Sequence, residues 1–198
     1  MSEIHEAIEK AQEGEHGEGF NRRIALVIAI LALFLSFSET AGKGAQTEAI
    51  SKNVESSDLW AFFQAKSIRI TQVTTAAEEM AVAAAGTADP AAKAAMEKQI
   101  EAWKATAERL KSEPKTGRDE LAEQAKEAVE ERDLYMAKYH HYELSSAAFQ
   151  VGIVLASAAV ITGMVGLAWF AGALGAIGCV LLALGLWAPH AVPFIATL

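Results

Sequence analysis

The sequence predicts an all-α membrane protein with three transmembrane helices and a long antiparallel, coiled-coil-like helical stalk outside the membrane. Three observations predict it. Leu144 to Leu198 contains no Asp, Glu, Lys or Arg. A second apolar run, Ile24 to Phe37, follows Asn21-Arg22-Arg23. The polar stretch between them is rich in Ala, Glu, Lys and Gln, strong helix formers, and its apolar positions alternate in steps of four and three.

Residues 1–20 form an acidic N-terminal segment carrying Glu3, Glu6, Glu9, Glu13, Glu15 and Glu18. Ile4 and Ile8 suggest one amphipathic turn, and Gly14, Gly17 and Gly19 predict a flexible linker after it. The acidity disfavours an anionic membrane surface. Residues 21–41 form the first span. Its strictly apolar part is short for a helix that must cross ~30 Å of hydrocarbon, but Arg22 and Arg23 can snorkel to the interface. A secretory signal peptide cleaved near Ser36-Phe-Ser38 is the alternative; an uncleaved anchor is the preferred reading.

The stalk, residues 42–143, divides at Gly86-Thr-Ala-Asp-Pro90 and at Glu113-Pro-Lys-Thr-Gly117. Asp89 suits an N-cap, and Pro90 suits the first helical position, where its missing N–H costs nothing. Three helices are expected, near 45–85, 90–112, and from 118 directly into the second span. Their stripes are Leu59, Phe63, Lys66, Ile70, Val73, Ala77 and Met80; then Met96, Ile100, Trp103, Ala107 and Leu110; then Leu121, Ala125, Ala128, Arg132, Tyr135, Tyr139 and Tyr142. Lys66 and Arg132 interrupt two seams as register devices. Starting both long helices at the membrane brings Lys66 level with Glu123.

The second span is expected at 144–166, a turn at 167–171 around Trp169 and Phe170, the third span at 172–188, and a tail at 189–198 opened by Pro189. Small residues four apart predict close helix packing at Gly152, Ala156, Gly163, Gly172 and Gly175, serving either the hairpin or a homo-oligomer.

The net charge of -8 and the mixing of basic with acidic residues exclude a nucleic-acid partner. The lone Cys179 reads as a small apolar residue, and no Cys or His spacing matches a structural zinc site. No catalytic motif stands out, so the chain is read as a non-enzyme without a cofactor or metal. Trp60, Phe62, Phe63, Lys66 and Arg69 form a candidate interaction patch, with packing inside the stalk as the plainer use of the same aromatics. Arg22, Arg23, Tyr139, His140, His141, Tyr142 and Trp169 are candidate membrane-interface anchors. A metal reading of Asp133 with His140 requires further ligands from another helix.

The word Trp60-Ala-Phe-Phe-Gln-Ala-Lys-Ser-Ile-Arg69, Asn21 before the first span, and the Tyr-x-x-x-Tyr-His-His-Tyr-Glu approach to the second together resemble the bacterial membrane protein family known as domain of unknown function 4337. The resemblance covers nearly the whole chain. It implies a short N-terminal span, a long helical insert and a C-terminal membrane hairpin, with no family active site. The expected role is a homo-oligomeric scaffold or assembly factor surrounded by membrane lipid. The alternative is a channel or transporter subunit built on the Gly-rich hairpin. Arg22 and Arg23 place the N-terminus in the cytoplasm of a bacterial inner membrane and the stalk in the periplasm, against which stand Lys43, Lys52, Arg132 and Lys138 on the stalk side.

Overall fold

Prolines stand at the start and end of the second helix and just beyond the last one. The structure, a computed structural model, describes the backbone of residues 2–192 and the side chains of residues 19–192. Among the described residues there are four helices and no strands: α1 (Ser2–Gly86), α2 (Pro90–Ser112), α3 (Arg118–Thr162) and α4 (Val165–Trp187). The first proline in the chain is Pro90, so nothing before it removes a helical N–H. The helix assigned from Ser2 accordingly runs through Gly42 and Gly44, where separate span and stalk helices were expected, and through the expected linker at Gly14, Gly17 and Gly19. The expected amphipathic turn at Ile4 and Ile8 concerns side chains outside the described residues.

Asp89 caps α2, its carboxylate accepting from Ala91 N–H at 2.9 Å with Pro90 next in line. Pro114 and the left-handed Lys115 (φ 66°) separate α2 from α3. Gly117 is required there, because an added Cβ would meet the Glu113 carbonyl oxygen at 2.6 Å. Helix α3 then continues unbroken into its charge-free half. Its end corrects an expectation: the connection to α4 is Gly163-Met164, and residues 167–171 are helical. Gly163 takes φ +70°, the left-handed conformation that commonly ends a helix, and its N–H closes on the Ala159 carbonyl at 2.9 Å. Trp169 and Phe170 were expected to mark a turn at the headgroup layer. They lie on an exposed helix face, 77% and 67% accessible, and impose no backbone break.

Three of these helices are long and apolar enough to cross a membrane. Their large side chains point outward, with Leu33, Phe37, Val154 and Ile161 all more than half exposed. A water-soluble fold would bury such surface, whereas lipid accommodates it.

The chain forms two compact units. The first comprises residues 1–49 and 133–198. Its core is made of small residues, Ala156, Ala159 and Ala171 packed with Ile24, plus a second cluster of Ala45, Tyr142 and Leu182. Phe149, fully buried, stacks on Phe34 with ring centroids 5.8 Å apart. The second unit, residues 50–132, is joined by Ser56 Oγ donating to the Ala125 carbonyl (3.3 Å), by Lys52 with Glu131 (2.6 Å) and by Lys66 with Glu113 (3.4 Å). Lys66 therefore pairs with Glu113 and not with the Glu123 expected opposite it.

Burial in α1 follows the heptad period well beyond the stripe read from Leu59 to Met80. Every position reached by alternating steps of four and three from Ile24 to Ala84 is buried or half-buried. Helix α3 carries two such faces in its second half. Tyr142, Phe149 and Ala156 lie on one; His141, Ser145, Gly152 and Ala159 lie on the other.

Candidate functional site

The polar residues nearest the charge-free segments occupy two places, an interhelical ladder and an open cleft. The ladder follows from the two faces of α3. Ser38 Oγ of α1 donates to the Tyr142 carbonyl at 2.9 Å, and Ser145 Oγ donates to the Gly178 carbonyl of α4 at 2.8 Å. His141 Nε2 lies 3.1 Å from the Pro189 carbonyl just beyond α4. A carbonyl only accepts, so Nε2 is the donor in this contact. The His141 Nδ1 is buried and has no hydrogen-bond partner among the described residues. Bonds of this kind satisfy polar groups where lipid offers none.

His141 and Tyr142, expected as interfacial anchors, are 0% and 5% exposed. Tyr142 packs between α1 and α4, against Ala45 and Leu182, and His141 turns toward α4, so both rings are covered within the helices. Gly185 makes room for both: an added Cβ there would meet Tyr142 Cε1 at 2.7 Å and His141 Cβ at 3.1 Å. Tyr139 and His140 are half-buried neighbours with ring centroids 5.5 Å apart, while Arg22, Arg23 and Trp169 are exposed. Arg23 and Trp169 line an apolar groove between α1 and α4 together with Phe20, Val27 and Gly172.

The five packing candidates separate clearly. Gly152 sits where three helices meet, its absent Cβ 3.3 Å from both Leu31 Cδ1 and the Ala171 carbonyl oxygen. Gly175 receives Leu31, whose Cδ2 is 2.6 Å from an added Cβ, and Ala156 is fully buried. Gly163 and Gly172 have no neighbour within 4 Å of an added Cβ; the first makes the turn, and the second lies on the groove wall. Sequence reasoning missed Gly178 and Gly185, which accept the Phe149 and Tyr142 rings. Extending the heptad steps from Gly175 would have found both, since Gly175, Gly178, Leu182 and Gly185 are all buried.

The candidate patch on α1 is divided by the same period. Phe63 and Lys66 belong to the covered stripe, Trp60 packs edge-on against Phe63 at 5.3 Å, Phe62 is 62% exposed and Arg69 is exposed. Lys66 is held by Glu113, whose carboxyl is kept below the usual glutamate range by the Thr116 hydroxyl first and the Lys66 ammonium second. Lys52 is held above the usual lysine range by Glu131 and then Glu55.

The cleft lies between α1 and α3 where their charge-free stretches end. It encloses about 400 Å³ and is lined by Ser38, Glu39, Gly42, Lys43 and Gln46 from α1 and by Tyr139, Tyr142, Glu143, Ser146, Ala147 and Gln150 from α3. Gln150 Nε2 donates to Glu39 Oε1 and the Tyr139 hydroxyl donates to Glu143 Oε1, both at 3.3 Å. His140 Nδ1 is 3.9 Å from Glu143 Oε2. Among the described residues no group of three or more His, Cys, Asp or Glu could hold a metal ion. The cleft brings two carboxylates, Glu39 and Glu143, and the Lys43 ammonium together at one opening.

A family model, domain of unknown function (DUF4337), matches residues 20–188. No curated protein and no solved structure matches the chain.

Proposed function

Since the chain belongs to the family of domain of unknown function 4337, whose name assigns no activity, we propose on physical grounds that it is a non-enzymatic, homo-oligomeric membrane scaffold of the bacterial inner membrane. Its extramembrane stalk would be an antiparallel, coiled-coil-like hairpin of α1 and α3, with α2 beside it. Support comes from the pairs Lys52 with Glu131, Ser56 with Ala125 and Lys66 with Glu113, whose α1 numbers rise as their partners' fall. A straight helix would rotate a heptad stripe by ~20° per heptad, so a stripe kept covered from Lys52 to Ala84 favours supercoiled packing.

One observation carries the oligomer. Helix α1 bears a second heptad seam that none of the described residues covers: Ile50, Val54, Ser57, Ala61, Gln64, Ile68, Thr71, Thr75, Glu78 and Val82 are all exposed. Ile50, Val54, Ile68 and Val82 are 60%, 54%, 59% and 76% accessible. Copies anchored in one bilayer share a direction, so a seam that meets its own copy sets each residue against itself. Like charges would repel there, and Glu78 is the one charge in this seam.

The channel reading has less support within one chain, because the three membrane helices close on Phe149, Ala156, Ala159 and Ala171, all fully buried. A conducting path would have to form on an oligomer axis. The orientation with Arg22 and Arg23 cytoplasmic and the stalk periplasmic follows the positive-inside rule. Self-crosslinking tests the scaffold. In a Cys179→Ser background, Ile68→Cys should form a disulfide-linked dimer on mild oxidation in lipid nanodiscs or native membranes, and Val54→Glu should suppress it. A strictly monomeric particle with no Ile68→Cys crosslink would sink the proposal.

A further inference from the structure

We propose that the cleft between α1 and α3 binds the headgroup of an amine-bearing zwitterionic phospholipid, phosphatidylethanolamine in chemical class. This reading does not depend on the oligomer. It begins with where charge resumes along the chain. On α1 no formal charge occurs from Ile24 to Ser38 and the next residue is Glu39; on α3 the charge-free stretch begins directly after Glu143. Both carboxylates line the cleft, which therefore sits at the level where hydrocarbon gives way to headgroups.

Its formal charges are two carboxylates and one ammonium. Glu39 and Glu143 offer carboxylate oxygens, and Lys43 is the one Lys or Arg among the described lining residues. A primary ammonium brings three N–H donors to the two carboxylates, and the adjoining phosphate finds Lys43. Choline carries the same charge with no N–H, and a glycerol headgroup carries no cation, so ethanolamine is the headgroup that uses all three residues. The volume, about 400 Å³, is within the usual range of ligand pockets, ~300–1,000 Å³.

The carboxylates are positioned for this role. Gln150 lies inside the charge-free stretch of α3, where lipid cannot satisfy an amide, and it donates to one oxygen of Glu39 at 3.3 Å. Tyr139 donates to one oxygen of Glu143 at 3.3 Å. Each contact orients its carboxylate through one of its two oxygens.

Native mass spectrometry of the full-length protein, extracted from nanodiscs containing equal parts of phosphatidylethanolamine, phosphatidylcholine and phosphatidylglycerol, tests the site. Wild type should retain the ethanolamine lipid preferentially. Glu39→Gln and Glu143→Gln should each cut that preference about two- to fivefold, the scale of an exposed charge pair, and the double variant should abolish it. Lys43→Gln should lower retention of the ethanolamine and choline lipids together while leaving their ratio unchanged. Both glutamate variants keep an acceptor oxygen for Gln150 or Tyr139, and their unfolding temperatures in lipid-free detergent report folding separately. Equal retention of all three lipids, preference for the glycerol lipid, or an ethanolamine preference that survives the double variant would overturn the proposal.

Discussion

Replacing Gly178 by Ala tests whether ring-into-glycine packing holds the membrane helices together. The new Cβ would lie 2.7 Å from Phe149 Cε1, 2.9 Å from Cζ and 3.0 Å from Cδ1. The ring has little room to yield, because Phe149 is fully buried and stacked on Phe34 at 5.8 Å. Overpacking of this kind costs ~1–3 kcal/mol. Gly172→Ala is the matched control: it lies in the same helix with nothing within 4 Å of its added Cβ. Both variants gain the same helical preference of Ala over Gly, ~1 kcal/mol, so their difference isolates the crowding. At roughly 2–4 °C per kcal/mol for a chain of this size, Gly178→Ala should unfold roughly 2–12 °C below Gly172→Ala. Thermal unfolding of the full-length protein in mild detergent, followed by tryptophan fluorescence, measures it. Adding Phe149→Leu to Gly178→Ala should recover part of the loss, and the double-mutant cycle should show coupling. Equal unfolding temperatures for Gly178→Ala and Gly172→Ala would refute the packing account.

Two other perturbations address the connections. Gly163→Ala forces a side chain into φ +70° and should cost ~1–2 kcal/mol, whereas Gly166→Ala, with nothing within 4 Å of its added Cβ, should be neutral or stabilising in the same unfolding assay; equal values would contradict a turn set by Gly163. The Glu113 carboxyl is held below the usual range in the folded protein, so its contribution is full above the unfolded glutamate pKa of ~4.3 and is lost as pH falls through the lower native value. Hydrogen exchange across residues 113–118, corrected for intrinsic rates, should show wild type losing protection on acidification and Glu113→Gln lacking that step; identical acid profiles would remove the assigned role of Thr116 and Lys66.

Much of the helix layout was legible in the sequence because its signals are local. Pro90 and Pro114 mark the two polar breaks, Asp89 is the cap it was read to be, and α3 runs without interruption from Arg118 into its charge-free half. The misplaced feature was the hairpin turn. Aromatics at 167–171 are a statement about lipid depth, whereas a turn requires a backbone conformation, which Gly163 supplies and Trp169 does not. Of the candidate site, Tyr139 was legible as a residue at the edge of a span, while Glu143 and Gln150 were not singled out as site residues. The assembly of these residues with Glu39 and Lys43 into one cleft was not legible, because it depends on the level at which α1 meets α3.

By itself the sequence determined that the chain is helical and has three segments able to enter a membrane. Charge-free length and missing proline N–H groups act residue by residue, and no distant partner can reverse them. Only the tertiary structure decided which helix faces meet: Gly178 with Phe149, Gly185 with Tyr142, His141 with Pro189, and Lys66 with Glu113 in place of Glu123. Such pairings come from the combined fit of residues far apart in the chain, as with Glu39 and Gln150, 111 positions apart. A heptad stripe states that a face will be covered, and the register of two helices decides by what.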